Sequence, residues 1–388
     1  MTISAEGIMA MAGTASQART CILVLGMHRS GTSAITRVLS LLGAALPRDL
    51  NTGTFGNAAD YWESLPLVEC HEAMLREIGS RWDDWRAFKP DDLAAGSFDR
   101  FKSEIAGLVE AQFGDSPLFV LKDPRISRFV PLYRGILEDM GIAPRYILAL
   151  RNPLAVMMSL RERDGMTPGF AGLVWLRHML DAERATRGES RVIASYERLM
   201  ADWRPVVVDI AAGLGLSWPR PPQAAAAAID AFLTPAMQHH AFTDPDLENR
   251  PEISTWIKDA CQSLRLLEED PGALPALATL DRVGAEFDHW APIFGEACFP
   301  QLALAESERD TARAGHDRAY GERDAVRAKL QATQAMLRNE AEQSAFRARR
   351  SASLEAELER IKRSRWSRFA ERMRALERRV RLCRKDAR

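Results

Sequence analysis

The sequence predicts an α/β protein: a parallel β-sheet flanked by helices, followed by a long C-terminal helical extension. Three observations predict it. Short apolar runs that suit buried strands recur at residues 20–26, 117–122 and 145–150, with a weaker one at 191–194. Helical apolar spacing separates them, and strands alternating with helices imply right-handed crossovers and a parallel sheet covered on both faces. From about residue 303 the composition shifts to Ala, Arg, Glu and Gln, with Gly only at 315 and 321 and no Pro.

Taken in order, residues 1–19 are small and polar and are expected to be disordered. TCILVLG ends in Gly26 and is the first strand. Residues 32–42 follow at helical spacing and close on Gly43. PRDLNTGTFGNAADYWES is loop-like, and 65–78 and 101–113 are helix candidates. Residues 220–298 are mostly helical, with a poly-Ala run and scattered Trp, and have no evident place in the sheet. The expected division is a terminus of 1–19, a catalytic-type domain of 20–300 and an extension of 301–388. In the extension, Val326, Leu330, Thr333 and Leu337 and then Leu354, Leu358 and Ile361 recur at spacings of 3 and 4. Polar residues fill the same frame between them, so the coiled-coil character is intermittent.

The chain has 388 residues and a formal net charge of −1. That balance hides an asymmetry: from Arg360 onward 13 basic residues stand against 3 acidic ones, and before it 39 against 50. A basic tail on an acidic body points to an anionic partner for the tail. The five cysteines lack CxxC spacing, which argues against a zinc site or a disulfide framework and for a reducing compartment. The first 20 residues do not read as a signal peptide, and no run approaches the roughly 18 apolar residues of a membrane span. The expected location is the cytoplasm, or the inner face of the membrane as a peripheral protein.

The strongest chemical signal is GMHRSGTS, residues 26–33, between the first strand and the following helix. A Gly-rich turn there offers backbone N–H groups and a helix N-terminus to a phosphate. Gly26 and Gly31 have Walker A spacing, but Thr32 stands where that loop carries its Lys, and the cation is Arg29. The second signal is RNPLAVMMS: Arg151 at the carboxyl end of the third strand, an Asn152–Pro153 helix start, and Ser159 about two turns on. Taken alone, Arg151 reads as a surface cation and Ser159 as an ordinary helical serine. The third is VLKDPR, where Lys122 ends the second strand; the plain reading makes Lys122, Asp123 and Arg125 a structural ion-pair network.

Strand–HRSGTS–helix resembles the 5′-phosphosulfate loop of the sulfotransferases that use 3′-phosphoadenosine-5′-phosphosulfate (PAPS). The resemblance spans roughly residues 20–200 and implies a P-loop NTPase-like sulfotransferase fold of bacterial type. It implies that Arg29, Ser30, Gly31, Thr32 and Ser33 hold the 5′-phosphate of PAPS, and that Arg151 and Ser159 hold its 3′-phosphate. It further implies no metal, with Arg29 and Lys122 neutralising charge in the transition state. ADYWES resembles a Gly-Tyr-Trp-Glu segment of such enzymes, with Ala59–Asp60 replacing the Gly. Glu63 is then the candidate general base, and His71 and His28 are the alternatives. Tyr196 and Glu197 resemble a donor-adjacent or structural segment, and the C-terminal RKGxxG signature of the family is missing.

The expected reaction is transfer of a sulfuryl group from PAPS to a hydroxyl acceptor, a carbohydrate or a lipid-linked or envelope glycan by analogy. A P-loop kinase or NTPase and a non-catalytic nucleotide-binding scaffold are the competing readings. In the basic tail, Trp366, Phe369, Met373, Leu376 and Val380 recur at spacings of 3 and 4 among Arg and Lys. The tail reads as a membrane-surface helix, as a homodimer seam or, least well supported, as a nucleic-acid contact.

Overall fold

A computed structural model describes residues 19–50, 61–238 and 240–383. Most of the expected disordered terminus, and Asn57 to Asp60 of the loop before Glu63, lie outside the described residues. The chain divides into two units, residues 1–298 and 299–388.

In the first unit four strands, β1 (Thr20–Leu25), β2 (Leu118–Lys122), β3 (Ala143–Leu150) and β4 (Arg191–Ser195), form one sheet in the order β2-β1-β3-β4. All three pairings are parallel. Strand β3 begins two residues before its apolar run and takes in Pro144, which a strand tolerates near its start. The helices between strands are α1 (Thr32–Leu41), α2 (Leu65–Glu77), α3 (Ser97–Phe113), α4 (Val130–Asp139), α5 (Pro153–Asp164) and α6 (Pro168–Thr186). After β4 come α7 (Tyr196–Ala201), α8 (Trp203–Leu214), α9 (Pro222–Phe232), α10 (Asp244–Glu248) and α11 (Thr255–Glu269). The last two helices are α12 (Leu274–Lys362) and α13 (Arg365–Cys383).

Successive strand residues face opposite sides of the sheet, so a strand buried on both faces is apolar throughout. Cys21 to Leu25 are fully buried. Ile22, Val24, Ile147 and Ala149 share one apolar cluster with Ile35 and Val38 of α1, Val207 of α8 and Ile229 of α9. On the other side α4 and α6 pack on β3. Each large side chain so removed from water contributes about 1.5–3 kcal/mol.

The segment without an evident place, 220–298, completes this cover. Ile257, Cys261, Leu264 and Leu267 form the buried stripe of α11, which packs on β4, and Glu268 accepts a hydrogen bond from the Ser195 backbone at 2.8 Å. Ala276, Leu280, Val283, Phe287 and Ala291 form a second stripe at the start of α12. In the second unit, Val326, Leu330, Leu337, Leu354, Leu358 and Ile361 are all exposed.

The register sets up the site. Val24 lies beside Lys122, Leu25 beside Leu148, and Leu150 beside Ser195. Gly26, Asp123, Arg151 and Tyr196 therefore leave the sheet along one edge, at the strands' carboxyl ends. The chain passes from β1 to β2 on one side, then crosses to β3 on the other. The order reverses between β1 and β3, where open α/β sheets bind ligands.

Candidate anion-binding crevice

The loop after β1 turns sharply. Gly26 has φ 130°, and a Cβ there would lie 2.7 Å from the carbonyl oxygen of Ala149. Gly31 has φ 86°, and its Cβ would meet Cδ2 of Tyr196 at 2.5 Å. Both positions need a glycine for conformation and for space. Ser127 holds the start of the loop, its hydroxyl accepting from Gly26 N–H at 2.9 Å.

Helix α1 then starts at Gly31 with no side-chain cap. Its first-turn N–H groups are the orphan donors that an anion satisfies, reinforced by the helix dipole. Ser30 is fully buried, and its hydroxyl has no partner among the described residues.

Two arginines converge here. Arg29 Nε donates to Ser159 Oγ at 2.7 Å, and Arg151 Nη1 donates to the Arg29 carbonyl at 2.9 Å. Arg151 also lies over the Tyr196 ring at 4.7 Å and donates to the His240 carbonyl at 3.1 Å. Among the described residues neither arginine is paired with a carboxylate. Burial, then the charges of Arg163 and Arg151, pull Arg29 below the ordinary guanidinium value, and burial does the same to Arg151. Crowded cations with no carboxylate in direct contact favour an anion beside them. Helix α5 supplies Ser159 because Asn152 caps it, accepting from Leu154 N–H at 3.0 Å, with Pro153 at the first position.

Lys122 reaches the same loop from β2. Its Nζ donates to Glu63 Oε1 at 2.5 Å, to the Tyr61 carbonyl at 2.9 Å and to Ser33 Oγ at 3.1 Å. The ion-pair network expected around VLKDPR therefore excludes Lys122. It consists of Asp123 with Arg125 at 2.9 Å and Arg125 with Glu72 at 2.6 Å, and His71 Nδ1 lies in hydrogen-bond contact with Asp123 at 2.7 Å. Burial opposes charge on Asp123, yet Arg125 and His71 hold its carboxyl well below the usual carboxylate range. Glu63 is brought in by the turn before α2, where Trp62 has φ 54° and packs its ring under Arg37 at 4.6 Å. Arg29, with φ 68°, and Trp62 are the only non-glycine residues at positive φ among the described residues. Strain of roughly 1–3 kcal/mol each thus sits at this crevice.

The two histidines border this arrangement, His28 from within the loop and His71 through Asp123. Both ring nitrogens of His71 are occupied, Nδ1 by Asp123 and Nε2 by the Tyr133 hydroxyl at 2.6 Å. His28 is half-buried edge-on against Trp82, ring centroids 4.6 Å apart, its Nε2 enclosed without a partner among the described residues, and burial of the ring with nearby Arg125 and Arg163 pushes it well below the ordinary imidazole value. Sequence reasoning missed Ser127, which carries no motif. Glu197, expected to be structural or donor-adjacent, accepts from Asn152 N–H at 2.9 Å and pairs with Arg265 at 3.0 Å. Among the described residues, no group of three or more His, Cys, Asp or Glu gathers as a metal site. No described helix is long and apolar enough to cross a membrane.

No protein-family model and no curated protein matches the chain. Its structural neighbours include the sulfotransferase domain of the Synechococcus olefin synthase, at 20% identity and TM-score 0.31, covering 61% of this chain and 90% of that one. The sulfotransferase domain of the curacin biosynthetic pathway aligns at 17% identity and TM-score 0.33, covering 69% and 97%. A Mycobacterium tuberculosis sulfotransferase aligns at 16% identity and TM-score 0.34, covering 66% and 77%. Likenesses this distant do not transfer a reaction to this chain.

Proposed function

We propose that the crevice binds PAPS and that the protein transfers its sulfuryl group to a hydroxyl acceptor, a glycan being the acceptor class. The observation that supports this reading most is the meeting of two arginines that no carboxylate pairs with among the described residues, Arg29 and Arg151, beside the uncapped start of α1 at the switch point. Arg29 and residues 30–33 hold the 5′-phosphosulfate end; Arg151 and Ser159 hold the 3′-phosphate. A nucleoside triphosphate has no 3′-phosphate, and this loop offers Thr32 in place of the phosphate-bridging lysine.

Sulfuryl transfer forms a bond between the acceptor oxygen and sulfur and breaks the bond from sulfur to the bridging phosphate oxygen. The acceptor loses a proton and the phosphate oxygen gains charge. Glu63 takes the proton: Lys122 engages Oε1, so Oε2 is the receiving oxygen. Protonation of Glu63 weakens its hold on Lys122, whose Nζ already reaches Ser33 of the phosphate loop. The lysine is then released towards the oxygen that is gaining charge. Arg29 completes that neutralisation.

Calorimetric titration with adenosine 3′,5′-bisphosphate against ATP with Mg²⁺ tests the reading. Bisphosphate should bind, and Arg29→Ala and Arg151→Ala should each weaken it by about 1.5–3 kcal/mol, the scale of hydrogen bonds to charged groups. ATP binding without bisphosphate binding would select an NTPase. Tight bisphosphate binding without sulfuryl transfer to any acceptor would select a scaffold.

A further inference from the structure

Helix α13 carries an apolar stripe that nothing in its own unit covers. Trp366 is 80% exposed, Phe369 55%, Met373 47% and Leu376 57%. At 100° per residue these four fall within about 80° of one another on the helix surface. Seven arginines and two glutamates share the same 19 residues, with arginine on both flanks of the stripe. The helix is a separate piece. Helix α12 stops at Lys362, and Ser364 starts the new helix, its hydroxyl accepting from Ser367 N–H at 3.3 Å.

We propose that α13 is a docking helix for an anionic membrane surface, lying in the plane of the interface with Trp366 and Phe369 among the acyl chains and its arginines at the headgroups. Charge complementarity selects this occupant over a second copy of the chain. Two α13 stripes placed together would bring fourteen arginines and four glutamates side by side. The stripe is also out of frame with the seam of α12, so the two do not form one continuous coiled coil. Continuing the spacing of Leu354, Leu358 and Ile361 puts Arg365 next in the seam, whereas the apolar series restarts at Trp366. An anionic bilayer supplies both things the helix lacks, apolar depth and negative charge. Docking of α13 to a membrane is independent of the reaction the crevice performs.

The test is co-sedimentation of the full-length protein with phosphatidylcholine vesicles, with and without phosphatidylglycerol. The expected result is a partition onto anionic vesicles at least about tenfold higher than onto neutral ones, lost at roughly 0.5 M salt. Phe369→Asp with Met373→Asp should abolish it without altering bisphosphate titration. Arg372→Glu with Arg379→Glu should remove only the preference for anionic lipid. Equal or absent binding to both vesicles overturns the proposal. So does a concentration-dependent dimer in lipid-free buffer that Phe369→Asp dissolves, which would assign the stripe to a second copy.

Discussion

The buried Lys122–Glu63 pair makes a sharp prediction for a double-mutant cycle. The two side chains are 3% and 5% exposed and 2.5 Å apart. Their gross attraction is about 7 kcal/mol at an effective dielectric near 20. Desolvation of both ions offsets most of that, so the pair adds little net stability over apolar residues of similar size. Removing one partner is different, because it strands the other. Glu63→Leu should cost about 3 kcal/mol, the low end for a broken buried pair, because Lys122 keeps Ser33 Oγ and the Tyr61 carbonyl. Lys122→Met should cost about 3–5 kcal/mol, since the Glu63 carboxylate loses its cation. The double variant should recover most of the loss, giving a coupling of at least about 2 kcal/mol. Urea unfolding at neutral pH measures all three. Sulfuryl transfer, assayed in parallel, should be absent from every variant including the stable double one. A coupling below about 0.5 kcal/mol would mean that the two groups do not interact in solution, and the proton-linked release of Lys122 would fall with it.

Gly31→Ala should keep the fold but lower bisphosphate affinity at least about tenfold by calorimetry, because its Cβ meets Tyr196, on which Arg151 rests. His178 is held at about 3 by burial and then by Arg128. Its native value is depressed, so the stability it adds is full above the unfolded value near 6.5 and is lost as pH falls towards 3. The unfolding free energy should therefore fall between pH 6.5 and 4, by up to about 1.4 kcal/mol per pH unit, and His178→Phe should flatten that fall. Tyr133→Phe should cost about 1–3 kcal/mol by leaving buried His71 Nε2 without its partner, and bisphosphate affinity should be unchanged.

The four strands and the two loop–helix junctions after β1 and β3 were legible because their signals are local. An apolar run of five or six residues marks a buried strand, and a Gly-rich or Asn-Pro start marks the helix after it. Helix α3 begins at Ser97, four residues before its apolar series, because Gly96 supplies the left-handed turn that starts it. Side-chain partnership was not legible. Lys122 meets Glu63 across 59 residues and leaves Asp123 to His71, and no spacing rule reports that choice. The need for Gly31 to lack a side chain comes from Tyr196, which arrives from β4. Residues 220–298 resisted placement because their apolar stripes have meaning only against β4, α6 and α1, elements far earlier in the chain.

The hydrogen bond from Arg151 to the carbonyl of Arg29 means that the two proposed phosphate grips share a hinge pin. Shortening Arg151 would also loosen the backbone that aims Arg29. Point substitutions would then misreport each grip as stronger than it is, since one deletion disturbs both. Truncated ligands separate what truncated side chains cannot: a nucleotide bearing a single phosphate at one end reports on one grip while leaving the pin in place.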